Sequence, residues 1–157
     1  MKKQTNLESI YGRPGFLLRR CHQISVAIFL EECERYDLTP AQFGLLTVLE
    51  ATDDIDQIGV ARLLGMDRTT TSNVVSRLEA RGLLKRVTDP EDRRKRQLHL
   101  TKAGRNIRKN ALKPAERAGK RLLTGLSARE RKQFLALLER VVDTADGLPR
   151  AALVGDS

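Results

Sequence analysis

The side chains best suited to recognition chemistry lie in one short run, Asp67-Arg-Thr-Thr-Thr-Ser-Asn-Val-Val-Ser-Arg77. Arginine presents paired N–H donors that match a guanine edge, asparagine complements adenine, and threonine offers a methyl group to thymine. Read as a helix at 100° per residue, Val74, Val75 and Leu78 define a buried face, with Thr71 on the same side. Thr69, Asn73 and Ser76 then point away from it. Ser72 and Arg77 take the flanks, and Arg68 and Thr70 belong to the N-terminal turn. A solvated helix face is polar too, so the pattern alone does not decide its use. A second cluster lies downstream, Arg93-Arg94-Lys95-Arg96, preceded by Asp92, which can orient an arginine. Four adjacent cations repel one another unless an anion lies against them. A DNA groove lined by phosphates supplies that anion.

The charge distribution agrees. The chain has 29 Lys and Arg against 20 Asp and Glu, a net charge of +9 over 157 residues. Between Asp67 and Lys109 there are thirteen basic and five acidic residues, so +8 of the excess lies in that span. A basic stretch so confined reads as a binding footprint and not as general solubilisation.

Other chemistries have little to work with. The only histidines are His22 and His99, and no metal-ligand spacing, phosphate loop or nucleophile elbow accompanies them. The expectation is no enzyme, no cofactor and no metal. Cys21 and Cys33 are the only cysteines. On one helix they stand about 18 Å apart, too far for a disulfide within the chain. Both fall among apolar positions, where an inert buried thiol is usual. A redox switch through either remains an alternative. No apolar run reaches bilayer length and the N-terminus lacks a signal-peptide core, so a cytoplasmic protein with no membrane partner is expected.

The elements that must hold these residues follow from caps and periodicity. Residues 1–12 are polar and read as loose. A helix is expected from Pro14 to Tyr36, with Leu17, Cys21, Ile24 and Ile28 on one stripe, widened by Phe16, Phe29 and Leu30. Thr39-Pro-Ala-Gln42 is a capping box that opens an apolar helix to Ala51. Asp56–Leu64 forms a short segment closed by Gly65, and Asp67 caps the next helix, which ends near Gly82. Leu83–Asp89 and Gln97–Thr101 read as two strands of a hairpin with a charged tip. Thr101 starts a long helix to Leu123, in which Pro114 predicts a kink. Ser127-x-x-Glu130 starts a last helix whose Phe134, Leu137, Leu138, Val141, Val142 and Ala145 share a face. The fold class is mainly α with a small β-hairpin wing: a winged helix-turn-helix lobe over 38–100, flanked by helices over 13–36 and 101–147 in one domain. The apolar stripes of the outer helices exceed what so small a lobe can cover, which points to a second copy of the chain and a homodimer. Two-fold symmetry then predicts a pseudo-palindromic operator in double-stranded DNA. A sequence-indifferent architectural DNA binder would share the basic patch and differ in its specificity ratio.

The run from Asp67 to Arg86, Asp89-Pro-Glu-Asp-Arg-Arg-Lys-Arg96, Leu100-Thr-Lys-Ala-Gly104 and the Leu38-Thr-Pro-Ala-Gln-Phe43 segment together resemble the MarR family of bacterial regulators over nearly the whole chain. The resemblance implies a transcriptional regulator, in most members a repressor, whose outer helices interlock into an obligate dimer. It implies DNA contacts by Arg68, Thr69, Thr70, Ser72, Asn73 and Arg77, and by Asp92, Arg93 and Arg94 of the wing; Ser76 and Lys95 join them from the residue pattern. It also implies a small-molecule effector bound between the dimerisation helices and the DNA-binding lobe. The block Gly15-Phe-Leu-Leu-Arg-Arg-Cys-His-Gln-Ile-Ser25 is similar to that of members responding to aromatic acids or their coenzyme A thioesters. Candidate effector contacts are Phe16, Arg19, Arg20, His22, Ile24 and Phe43, since paired arginines suit a carboxylate. Structural ion pairing and core packing are the competing roles for these residues.

Overall fold

A computed structural model describes residues 8–89 and 96–145. In chain order these form α1 (Glu8–Tyr11), α2 (Pro14–Glu32), α3 (Pro40–Ala51), α4 (Gln57–Leu64), α5 (Arg68–Ala80), β1 (Leu84–Thr88), β2 (Arg96–Leu100), α6 (Lys102–Leu122) and α7 (Ala128–Ala145). Glu8–Tyr11 is a helical turn, where the sequence reads as loose. The first long helix also stops short of Tyr36. After Glu32 the chain tightens into a 3-10 turn, Glu34–Tyr36, and leaves it through Asp37 at φ 49°, the left-handed region. Among the described residues, no helix is long and apolar enough to cross a membrane.

Local signals set most of the boundaries. Thr39 and Gln42 make the reciprocal capping box, with Pro40 in the first turn of α3. Asp56 accepts from the Gly59 N–H at 2.7 Å, and Asp67 accepts from the Thr70 N–H at 2.7 Å. Gly65, at φ 64°, ends α4 in a conformation that a side chain would strain, and this makes the tight turn into α5. Pro114 lies buried inside α6, and the helix runs through it.

The chain divides into two compact units, Met1–Leu122 and Leu123–Ser157. In the first, one core joins α3, α4, α5, the hairpin and α6 around Leu45, Leu46, Val60, Val75, Leu78, Leu84, Leu98 and Ala111. A smaller cluster, Phe29, Cys33 and Ala118, packs α2 on α6. Arg117 and Arg121 of α6 reach Glu32 of α2 at 2.9 Å, and Arg121 also reaches Glu31. The second unit contains α7, opened by the expected box: the Ser127 N–H donates to Glu130 at 2.8 Å.

The hairpin pairs β1 and β2 antiparallel, Leu84 opposite Leu100 and Arg86 opposite Leu98. The Leu98 N–H donates to the Ile55 carbonyl at 2.8 Å, which ties the wing to the segment before α4. At its other end α6 starts hard against β1. The Thr101 hydroxyl donates to the Gly82 carbonyl at 2.7 Å and accepts from the Gly104 N–H. A Cβ on Gly104 would stand 1.9 Å from the Leu83 carbonyl oxygen, so only glycine permits this approach.

Candidate nucleic-acid interface

α5 is polar on one face because its core-facing positions are so few. Thr71, Val75 and Leu78 are fully buried, as the helical pattern placed them, whereas Val74 is only half-buried at the edge of that face. Thr71 tolerates burial because its hydroxyl donates to the Asp67 carbonyl at 2.7 Å. Arg68, Thr69, Thr70, Asn73, Ser76 and Arg77 are exposed, and Ser72 is half-buried. The Asp67 carboxylate takes the Thr70 hydroxyl at 2.6 Å as well as its N–H. These bonds, the hydroxyl first, hold the Asp67 carboxyl below its ordinary pKa and fix the start of the helix.

The flanks of this face differ. On the wing side, Arg86 of β1 lies 3.5 Å from Glu79 and donates to the Ser76 hydroxyl at 3.4 Å, so Ser76 is coupled to the hairpin. On the other side, Thr70, Asn73, Val74 and Arg77 border a cleft of about 210 Å³ completed by Thr39 and Gln42 of α3. In the sequence Thr39 and Gln42 signal only a helix cap, and their place on this edge comes from how α3 packs beside α5. Asp92, Arg93, Arg94 and Lys95 lie outside the described residues; Arg96, which opens β2, is exposed.

Not all of the basic span is free to meet an anion. Arg81 is engaged by the 3-10 turn, donating to the Tyr36 carbonyl at 3.0 Å and to the Asp37 carbonyl. Arg105 faces Glu50 at 3.5 Å. The net charge was legible in sequence, but these partners lie 45 and 55 residues away in the chain.

The candidate effector residues do not form one cluster. The Arg19 guanidinium lies over the Phe16 ring at 5.3 Å, and Tyr11 meets that ring edge-on at the same distance. Arg20 instead donates to Gln23 at 3.2 Å, and His22 and Ile24 are exposed. Phe43 packs on Phe29 at 5.7 Å. Thirteen residues separate Phe16 from Phe29 on α2, roughly 20 Å of helix. Phe43 therefore belongs to the core junction and not to the Arg19 group. The cysteines also depart from expectation. Cys33 is buried and burial pushes its thiol pKa up, but Cys21 is exposed.

Comparison with known proteins fits this geometry. The MarR family model matches residues 36–95, from the 3-10 turn to the wing. The HTH-type transcriptional repressor NicR of Pseudomonas putida is 32% identical over 130 residues, 83% of this chain and 82% of that protein. BpsR of Bordetella bronchiseptica, whose DNA binding is regulated by 6-hydroxynicotinic acid, superimposes with a TM-score of 0.80 at 34% identity, over 85% of this chain and 95% of that one. The transcriptional repressor CouR, solved on a 23-mer DNA duplex, gives a TM-score of 0.79 at 32% identity, again over 85% and 95%. The described residues hold the winged helix-turn-helix those proteins share, and the chain belongs to the MarR family of transcriptional regulators, not to an enzyme family.

Proposed function

We propose that the chain acts as a homodimeric, sequence-specific repressor that leaves its operator when an aromatic carboxylate, or its coenzyme A thioester, binds. The observation that carries the DNA-reading half is the exposed Arg68, Thr69, Asn73 and Arg77 face of α5, free of apolar cover and beside the wing. Arg68, Thr69, Thr70, Ser72, Asn73, Ser76 and Arg77 meet the major groove, and Asp92, Arg93, Arg94 and Lys95 meet the adjoining groove. The lobe over 38–100 carries these contacts, and the flanking helices hold two copies together. The operator complex forms in the cytoplasm. Binding of the chain to a pseudo-palindromic duplex and to a scrambled one at the same salt tests this. A specificity ratio near one sinks it in favour of an architectural protein.

The effector reading is supported by Arg19 stacked on Phe16 beside Tyr11, and by a neighbour regulated by 6-hydroxynicotinic acid. An arginine against aromatic rings suits a ligand with a carboxylate on a ring. Hydroxylated aromatic acids titrated into the operator complex release it, and Arg19→Ala raises the concentration needed. Absence of release at millimolar ligand overturns this. The redox alternative retains one observation, the exposure of Cys21. Operator affinity unaltered by peroxide removes it.

A further inference from the structure

We propose that the capping box opening α3 is also a seat for one DNA phosphate, with the Gln42 side-chain amide as its donor. This rests on the DNA-binding reading and adds two residues, Thr39 and Gln42, outside the recognition helix and the wing. In the box, Thr39 N–H donates to Gln42 Oε1 at 2.9 Å, and Gln42 N–H donates to Thr39 Oγ1 at 3.2 Å. The first bond fixes which way the amide faces: its oxygen is turned to the backbone and its NH2 group is turned away. Gln42 is only 7% exposed, yet no acceptor for Nε2 exists among the described residues, nor is that atom sealed from solvent. What remains open at Gln42 is the cleft it lines with Thr39, Thr70, Asn73, Val74 and Arg77.

The NH2 has no protein acceptor among the described residues and meets solvent only through the cleft, where a stronger acceptor can replace water. Its lining has no carboxylate, includes the Arg77 side chain, and adjoins the positive end of the α3 dipole. The nearby carboxylate, Asp67, is occupied by Thr70. That environment favours an anionic acceptor over a neutral one. A phosphodiester fits better than a free ion, because Asn73 and Arg77 border both the cleft and the base-reading face. A strand whose bases meet that face passes its backbone over Gln42. Such a contact positions the helix and carries no sequence information.

Gln42→Glu tests this with little risk to the fold. Glutamate at this position completes a capping box as well as glutamine does, and the helix terminus favours its charge. It replaces the donor by an anion facing the phosphate. Operator and scrambled duplex are titrated at one salt concentration with the wild type, Gln42→Glu, and the charge-matched Asn110→Asp, exposed on α6. Gln42→Glu is expected to bind both duplexes at least about tenfold more weakly, with the ratio between them unchanged. Asn110→Asp stays within about twofold. In a series of operators each carrying one neutral methylphosphonate, a single position abolishes the Gln42→Glu penalty. Affinity of Gln42→Glu within about twofold of the wild type, or a loss on the operator alone, overturns the seat. A wild type that binds both duplexes equally overturns base reading and leaves the seat testable by the same variant. Binding to neither overturns both.

Discussion

Asn73 stands one helical turn from both Thr69 and Arg77 on the exposed face of α5, with no partner among the described residues to satisfy its carboxamide. A group with two donors and an acceptor at that place gains most from a base edge that pairs with it bidentately. Asn73→Ala should weaken operator binding by about 1–3 kcal/mol and leave a scrambled duplex unaffected. Equal losses on both, by fluorescence anisotropy, would refute base reading there. Asp67 is the residue that starts the helix, and it carries a pH dependence. Thr70 holds its carboxyl below the ordinary value, Arg121 and Arg117 do the same for Glu32, and Ser127 does so for Glu130. On unfolding these groups return to ordinary carboxylate values near 4. Their contribution is therefore complete above that range and is lost as pH falls through it toward the folded values. The melting temperature should drop between about pH 5 and pH 3. Asp67→Asn, which keeps a cap but cannot titrate, should flatten that drop; an unchanged curve would count against the assignment.

Between elements, two contacts decide where the recognition helix sits. Gly104 lets the first turn of α6 close on the Leu83 carbonyl at the base of the wing. Gly104→Ala forces these apart, and urea unfolding should register a loss of more than about 2 kcal/mol. A loss below about half that would mean the two elements part easily. Arg81, at the end of α5, grips the Tyr36 and Asp37 carbonyls between α2 and α3. Through it the helix carrying Arg19 and the helix carrying Asn73 share a mechanical link. Arg81→Ala leaves two carbonyls without their donor and should cost about 1–2 kcal/mol in stability. It should also raise the effector concentration needed for release, whereas an unaltered release midpoint would make Arg81 a local support only.

Across the molecule, the outstanding feature is the exposed apolar surface among the described residues. Leu17, Leu18, Ile24 and Leu30 are exposed on α2, and Leu135, Leu137, Val141 and Val142 on α7. Patches of this kind mark association surfaces in a chain of this size. A mass twice 17.7 kDa is expected from analytical ultracentrifugation. Val141→Asp should shift it to one chain and abolish tight operator binding, because two half-sites no longer act together. A variant that stays dimeric would move the interface off α7. The sequence by itself determined the order of elements, the turn at Gly65, the caps at Thr39, Asp67 and Ser127, and the polar face of α5. All of these rest on bonds reaching three or four residues, or on helical periodicity, so the residue types carry them. Tertiary structure decided the rest: that Val74 sits only at the edge of the core, that Arg81 and Arg105 are engaged by protein partners, and that Phe43 leaves the Arg19 group. It also decided that Cys21 is exposed and that Gln42 opens on the edge of α5. Each depends on a partner more than twenty residues distant or on how one helix rotates against its neighbours, and no local pattern records either.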